Sequence, residues 1–214
     1  MADSENSRTL SPITHRNLLP ATERFLQKLA AGQGDANAVH IGNVLTKWEA
    51  WCRAHRECAR LCNVQQRLEA ELFRTVDSPR VQIHIPTRTS PAVATTLEEI
   101  DAWLEGEEFA EIRGRAKAEL AIRRREWEAA DEIIGYSRAK QAEDIAAANE
   151  HRLADELWAT STGSVVSATA KLHCMIRQGE PEPDSGEFPW PQVRSVLVDL
   201  LMTSAPGTFT PPGP

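Results

Sequence analysis

Apolar residues recur at helical spacing along two long stretches of the chain, and neither stretch contains a proline. All thirteen prolines lie outside residues 21–78 and 92–180. Proline inside a helix costs about 3 kcal/mol, because it lacks the N–H and crowds the preceding turn. Windows this long, rich in Ala, Glu, Arg and Leu, therefore read as two helical blocks with a proline-marked bend between them. The first long helix is expected over about 40–76, with a seam at Val44, Trp48, Trp51, Cys58, Cys62, Leu68 and Leu72. Steps of three and four between these positions, with His55 and Gln65 filling gaps, give a coiled-coil-like stripe about 50 Å long.

Ser78-Pro79 ends that helix, since the residue before proline is pushed out of the α region. In the connector over 77–95, Arg80-Val-Gln-Ile-His-Ile-Pro86 alternates apolar and polar. This is a strand-like signal with no second strand in view, so an extended connector is expected. Thr96-Leu-Glu-Glu99 is a capping box that opens the second block. Ile100, Trp103, Leu104 and Phe109 follow, with a break expected between 105 and 114 at Gly106 and Gly114. A second long helix is then expected over 115–159, with a seam at Ala116, Leu120, Trp127, Ala130, Ile134, Ile145, Leu153 and Leu157.

Two shorter helices follow. One carries Val165, Val166, Ala170, Leu172 and Ile176 and ends at Gly179; the other starts near Pro191, a favoured first-turn residue. Upstream, residues 22–30 form a short amphipathic helix that 32–37 break. The whole is an all-α chain: a long antiparallel helical hairpin with two shorter C-terminal helices. It is organised as a disordered tail over 1–20, a single elongated domain over 21–203 and a second tail over 204–214. Helix content well above about one third is expected, with essentially no sheet.

Charge narrows the function classes. A formal net charge of −7 and 26% charged residues suit a folded protein without the basic face of a nucleic-acid backbone binder. No apolar run approaches a membrane span, and no export signal precedes the first helix. The expected location is cytoplasmic. There Cys52, Cys58, Cys62 and Cys174 remain free thiols.

Candidate chemistry is sparse. His55, Cys58 and Cys62 share one helical face, and His173-Cys174 could add ligands from elsewhere. One straight helix presents its ligands in a row, however, and the paired short spacings of a zinc site are missing. Core packing is the favoured role for these cysteines, and no metal, cofactor or catalytic residue is assigned. Arg123-Arg-Arg125 is the densest basic cluster. Helical spacing pairs Arg123 with Glu119 and Arg124 with Glu128, so a solvated, salt-bridged face is favoured over a phosphate patch. Of the six tryptophans, Trp48, Trp51, Trp103 and Trp127 fall on apolar faces, while Trp158 and Trp190 lie near helix ends. Phosphate loops, paired-histidine zinc motifs and nucleophile elbows are absent.

Ala159-Thr160, Ala170-Lys171-Leu172, Pro189-Trp190-Pro191, Arg194-Ser195 and Asp199-Leu200 resemble a loose group of uncharacterised bacterial proteins. That group is Ala- and Glu-rich and helical, and some members sit near mobile elements. The resemblance covers residues 159–201. It implies a bacterial, cytoplasmic, all-α protein and brings no established activity. The expected function is a non-enzymatic helical interaction or adaptor protein with a protein partner or a homodimeric state. Overhang of the longer arm around Ile145, Leu153 and Leu157 would favour self-association. The alternatives are a nucleic-acid-associated regulator using Arg123–Arg125, a cryptic enzyme, or a Cys/His metal site around Cys58.

Overall fold

The computed structural model describes residues 15–31, 38–85, 89–161 and 163–204. Of these, 79% are helical, in seven α-helices and one 3-10 turn, so the fold is all-α. In chain order the elements are α1 (His15–Ala31), α2 (Ala38–Thr75), β1 (Val81–Ile83), β2 (Ala92–Ala94) and α3 (Leu97–Trp103). The 3-10 turn Glu107–Phe109 leads into α4 (Ala110–Ile134), α5 (Tyr136–Trp158), α6 (Val165–Gly179) and α7 (Trp190–Ser204). Of the tails expected over 1–20 and 204–214, residues 1–14 and 205–214 lie outside the described residues, as does the break at 32–37, whereas residues 15–20 belong to α1 and Ser204 to α7.

Three features differ from the sequence expectation. First, α1 reaches back past Pro20 to His15. Pro20 forfeits one backbone hydrogen bond near the helix start, but Leu18 is 1% exposed and packs with Ile176, Leu197 and Leu201. Burial of a leucine side chain stabilises by about 1.5–3 kcal/mol, enough to offset most of the proline penalty.

Second, the alternating segment after Pro79 does have a partner. β1 pairs antiparallel with β2, Val81 opposite Ala94 and Ile83 opposite Ala92. A lone two-stranded ribbon is marginal in water, and packing supplies the rest. The inward residues Val81, Ile83, Ala92 and Ala94 join Ile100, Leu104, Ala116 and Leu120 in one cluster. The capping box follows at once: the Thr96 hydroxyl accepts from the Glu99 N–H at 3.2 Å, and Glu99 accepts from the Thr96 N–H at 3.1 Å.

Third, the helix expected over 115–159 is two helices. Gly135 sits at φ +85°, in the left-handed region open to glycine. Its N–H donates to the Asp131 carbonyl at 2.6 Å and closes α4. The Asp131 carboxylate then accepts from the Ser137 N–H at 2.9 Å, satisfying one free donor of α5. A left-handed residue changes the phase between the two helices, which is why Ile145 leaves the extrapolated seam and is 64% exposed. The expected break at 105–114 lies at its early end, with Gly106 at φ +108° and Gly114 inside α4.

The chain gathers into two compact units. One comprises the described residues up to Arg56 together with those from Ala148 onward; the other runs from Glu57 to Ala147. In the first, Leu26, Val44, Leu45, Trp48, Trp51, Leu157 and Ala170 form the main core. In the second, the β ribbon, α3 and α4 enclose the aliphatic cluster described above.

Candidate functional site

The first unit collects most of the buried polar chemistry on helix faces that face one another. On α2, Trp48, Trp51, Cys52 and His55 follow the i, i+3, i+4, i+7 spacing of one face. On α6, Ala170, His173, Cys174 and Arg177 repeat that spacing. Glu150, Ala154 and Leu157 are the buried positions of α5. Within this unit Lys47 donates to the Glu156 carbonyl at 3.2 Å and His55 meets Glu150, so α2 and α5 run in opposite directions here.

His173 is 1% exposed, and its Nδ1 accepts a hydrogen bond from Trp48 Nε1 at 3.2 Å. Indole can only donate, so Nδ1 must be unprotonated and the proton of the neutral ring sits on Nε2. Burial pushes the His173 pKa down to about 3, helped by the positive charges of Arg177 and His55. The Leu19 backbone pulls weakly the other way. It is near enough to bias the ring, yet Nε2 has no partner in good hydrogen-bond geometry. The Trp51 indole, 0% exposed, stacks on His55 at 5.3 Å and meets His173 edge-on at 6.0 Å. With its lone pair already engaged by Trp48, His173 is unavailable as a base.

A second chain of contacts runs alongside. Glu150 Oε1 accepts from His55 Nδ1 at 2.8 Å and from Gln178 Nε2 at 3.3 Å. Cys174 Sγ–H donates to Gln178 Oε1 at 3.5 Å. Burial pushes the Cys174 thiol up to about 12, with Cys52 and Glu150 adding to the effect. Cys52 is likewise raised to about 12, by burial first and then by Glu23. Since the thiolate is the nucleophile and the metal ligand, both sulfurs are chemically quiet. Beside them Glu23 receives Arg56 Nη1 at 2.6 Å and faces Arg177 Nη2 at 3.7 Å.

The sequence candidates are dispersed by this geometry. His55 is committed to Glu150 and Trp51, whereas Cys62 accepts from Gln66 at 3.4 Å. Among the described residues no group of three or more His, Cys, Asp or Glu is placed to hold a metal ion. The basic triplet splits as well. Arg123 pairs with Glu119 as expected, but Arg124 donates to the Thr95 carbonyl at 3.0 Å instead of pairing with Glu128. Arg125 donates to the Ala121 carbonyl at 3.2 Å.

Residues quoted above for their resemblance to bacterial proteins have structural work. Lys171 is 7% exposed and donates to the carbonyls of Trp158 and Thr160 at 2.8 and 2.6 Å, closing the C-terminus of α5. Arg194 forms a buried ion pair with Glu180 and also donates to the Ser185 carbonyl at 2.8 Å, fixing the α6–α7 loop. The Trp190 ring lies so close to Gly179 that an added Cβ would come within 2.6 Å of it.

Glu150 and Gln178 were not anticipated from the sequence. The available signal was a carboxylate in register with Ala154 and Leu157, on the apolar side of α5. No described helix is long and apolar enough to cross a membrane. Comparison of the chain with protein-family models, curated proteins and solved structures finds no match in any of the three.

Proposed function

We propose that this chain is a non-enzymatic helical interaction or adaptor protein. One observation carries the reading: large apolar side chains face outward from a unit whose own core is already closed. In that unit Phe73 is 54%, Ile122 50%, Ile133 85% and Ile145 64% exposed. Side chains competent for catalysis in the other unit are engaged internally, with His173 neutral and the Cys52 and Cys174 thiols protonated. Exposed apolar side chains that share one face are what a protein-binding site needs, and Ile122 and Ile133 fall on one face of α4. The resemblance over residues 159–201 adds a setting, a bacterial cytoplasm and a link to a mobile element. A nucleic-acid regulator built on Arg123–Arg125 gains little, because the three guanidinium groups are directed to separate acceptors.

The test is affinity recovery from the native host, with wild-type, Ile133→Asp and Ile145→Asp baits run in parallel. A protein retained by the wild type and lost with either variant supports the adaptor reading. Recovery of the same set with all three baits, or of none from a chain that is also a strict monomer in solution, overturns it.

A further inference from the structure

Helix α4 turns Ala116 and Leu120 into the core of its unit and leaves a different line of residues facing out. At about 100° per residue, Ala118, Ile122, Ala129 and Ile133 fall within about 40° of one line, on the side away from Ala116 and Leu120. All four are exposed, Ile122 by 50% and Ile133 by 85%. Arg125 lies on one flank of this line and Glu126 on the other. Four ion pairs lie along the helix, Arg115 with Glu111, Lys117 with Asp101, Arg123 with Glu119 and Glu132 with Arg138, while Arg113 and Arg124 donate to the carbonyls of Leu104 and Thr95. Neither Arg125 nor Glu126 has an ion-pair partner among the described residues.

We propose that this face of α4 pairs with the same face of a second copy, the two helices running parallel about a two-fold axis. The inference rests on the interaction reading above and names its partner. Ile122, Ala129 and Ile133 meet their equivalents, and Arg125 of each copy lies beside Glu126 of the other. The flanking charges choose the direction. In a parallel two-fold pair the left flank of one helix faces the right flank of its partner, so Arg125 meets Glu126 twice. In an antiparallel pair equal flanks face each other, so Arg125 would meet Arg125 and Glu126 would meet Glu126, which is repulsive.

The stripe from Ala118 to Ile133 is about 24 Å long and covers a few hundred Å² per copy. That is below the roughly 1,200–2,000 Å² total of stable complexes, so the dimer is weak and reversible and forms only at high protein concentration.

Sedimentation equilibrium of the full chain between ~10 and ~500 µM reads this directly. Apparent mass should climb from monomer toward dimer across that range. Ile133→Asp should keep it monomeric throughout; because Ile133 is outside the core, an unchanged thermal midpoint excludes misfolding as the cause. Arg125→Glu should weaken association by about tenfold, through two like-charge pairs. Adding Glu126→Arg to it should restore most of the loss. A monomer at every concentration overturns the proposal but leaves a heterotypic partner open to the affinity test above. A dimer indifferent to Ile133→Asp, or to the charge reversal, overturns the face or the parallel pairing.

Discussion

The two units solve the same problem with different interiors. Every described residue that is both buried and polar or charged belongs to the first: Thr22, Glu150, Ser167, Thr169, Lys171, His173 and Arg194. The second closes on Val81, Ile83, Ile85, Ala92, Ala94, Ile100, Leu104, Ala116 and Leu120, with no charged group among them. An aliphatic core is tolerant, because volume and pattern largely suffice. A core of hydrogen-bonded indole, imidazole and carboxylate is exacting, because each lost partner leaves a desolvated polar atom behind. Sensitivity to point changes and to acid should therefore concentrate in the first unit.

The largest expected effect is Trp51→Ala. The ring is fully buried between two histidines, and its loss should cost on the order of 3–5 kcal/mol. Trp127→Ala should cost well under half of that, since Trp127 is only partly buried and meets the half-exposed Phe73 at 5.2 Å. Chemical denaturation with hydrogen exchange resolved to each unit would show the contrast. Equal losses would dissolve it.

Next comes the buried ion pair. Arg194→Met leaves Glu180 buried without its partner and should cost about 3–5 kcal/mol. Glu180→Gln added to Arg194→Met should recover much of this, because an uncharged amide can stay buried at lower cost. A double variant no better than the single would mean that the arginine stem, and not the charge, holds the α6–α7 loop.

Acid should separate the units further. His173 has an ordinary pKa of 6.5 when the chain is unfolded and about 3 in the fold. As pH falls, the unfolded chain takes up this proton first. The stability from neutral His173 is therefore complete above about 6.5 and is lost progressively toward 3, by a few kcal/mol in all. His173→Gln keeps an acceptor for the Trp48 N–H but cannot titrate. Its stability should be lower at neutral pH and flatter across that window. Parallel slopes in the two proteins would remove His173 as the source.

Glycines supply the smallest effect and a change of sign. At Gly114 a Cβ meets nothing within 4 Å, so Gly114→Ala should stabilise α4 by about 0.5–1 kcal/mol. Gly135→Ala should destabilise by about 1 kcal/mol, because φ is +85°. Thermal midpoints moving in the same direction for both would contradict the break at Gly135.

That pair of glycines also marks where the sequence stops being legible. Prolines, the Thr96 capping box and the seam through Trp48 and Trp51 are local signals, and they place the helices and the aromatic core. Gly114 and Gly135 look alike in sequence. Only the Asp131 carboxylate, reaching round to the Ser137 N–H, makes one a break and leaves the other inside a helix. β2 carries no signal in the sequence because Ala92 and Ala94 have little strand preference; its pairing depends on the helices packed beneath it. Residues 15–20 read as tail in the sequence because burial of Leu18 by α6 and α7 cannot be seen from local propensity. The Trp48–His173 bond spans 125 positions along the chain, and spacing rules do not reach that far.

The raised thiols of the first unit give it a built-in clock. Burial pushes Cys52 and Cys174 up to about 12, so they hold almost no thiolate at neutral pH while the unit is closed, and both sulfurs are shielded from reagents. Alkylation at these two sites therefore proceeds only through opening, and its rate counts how often the interior comes apart. Cys58 and Cys62, half-buried in the other unit, provide the reference reaction in the same tube. A series of mass spectra taken over time would then report the breathing of one half of the molecule against the other, with no residue replaced.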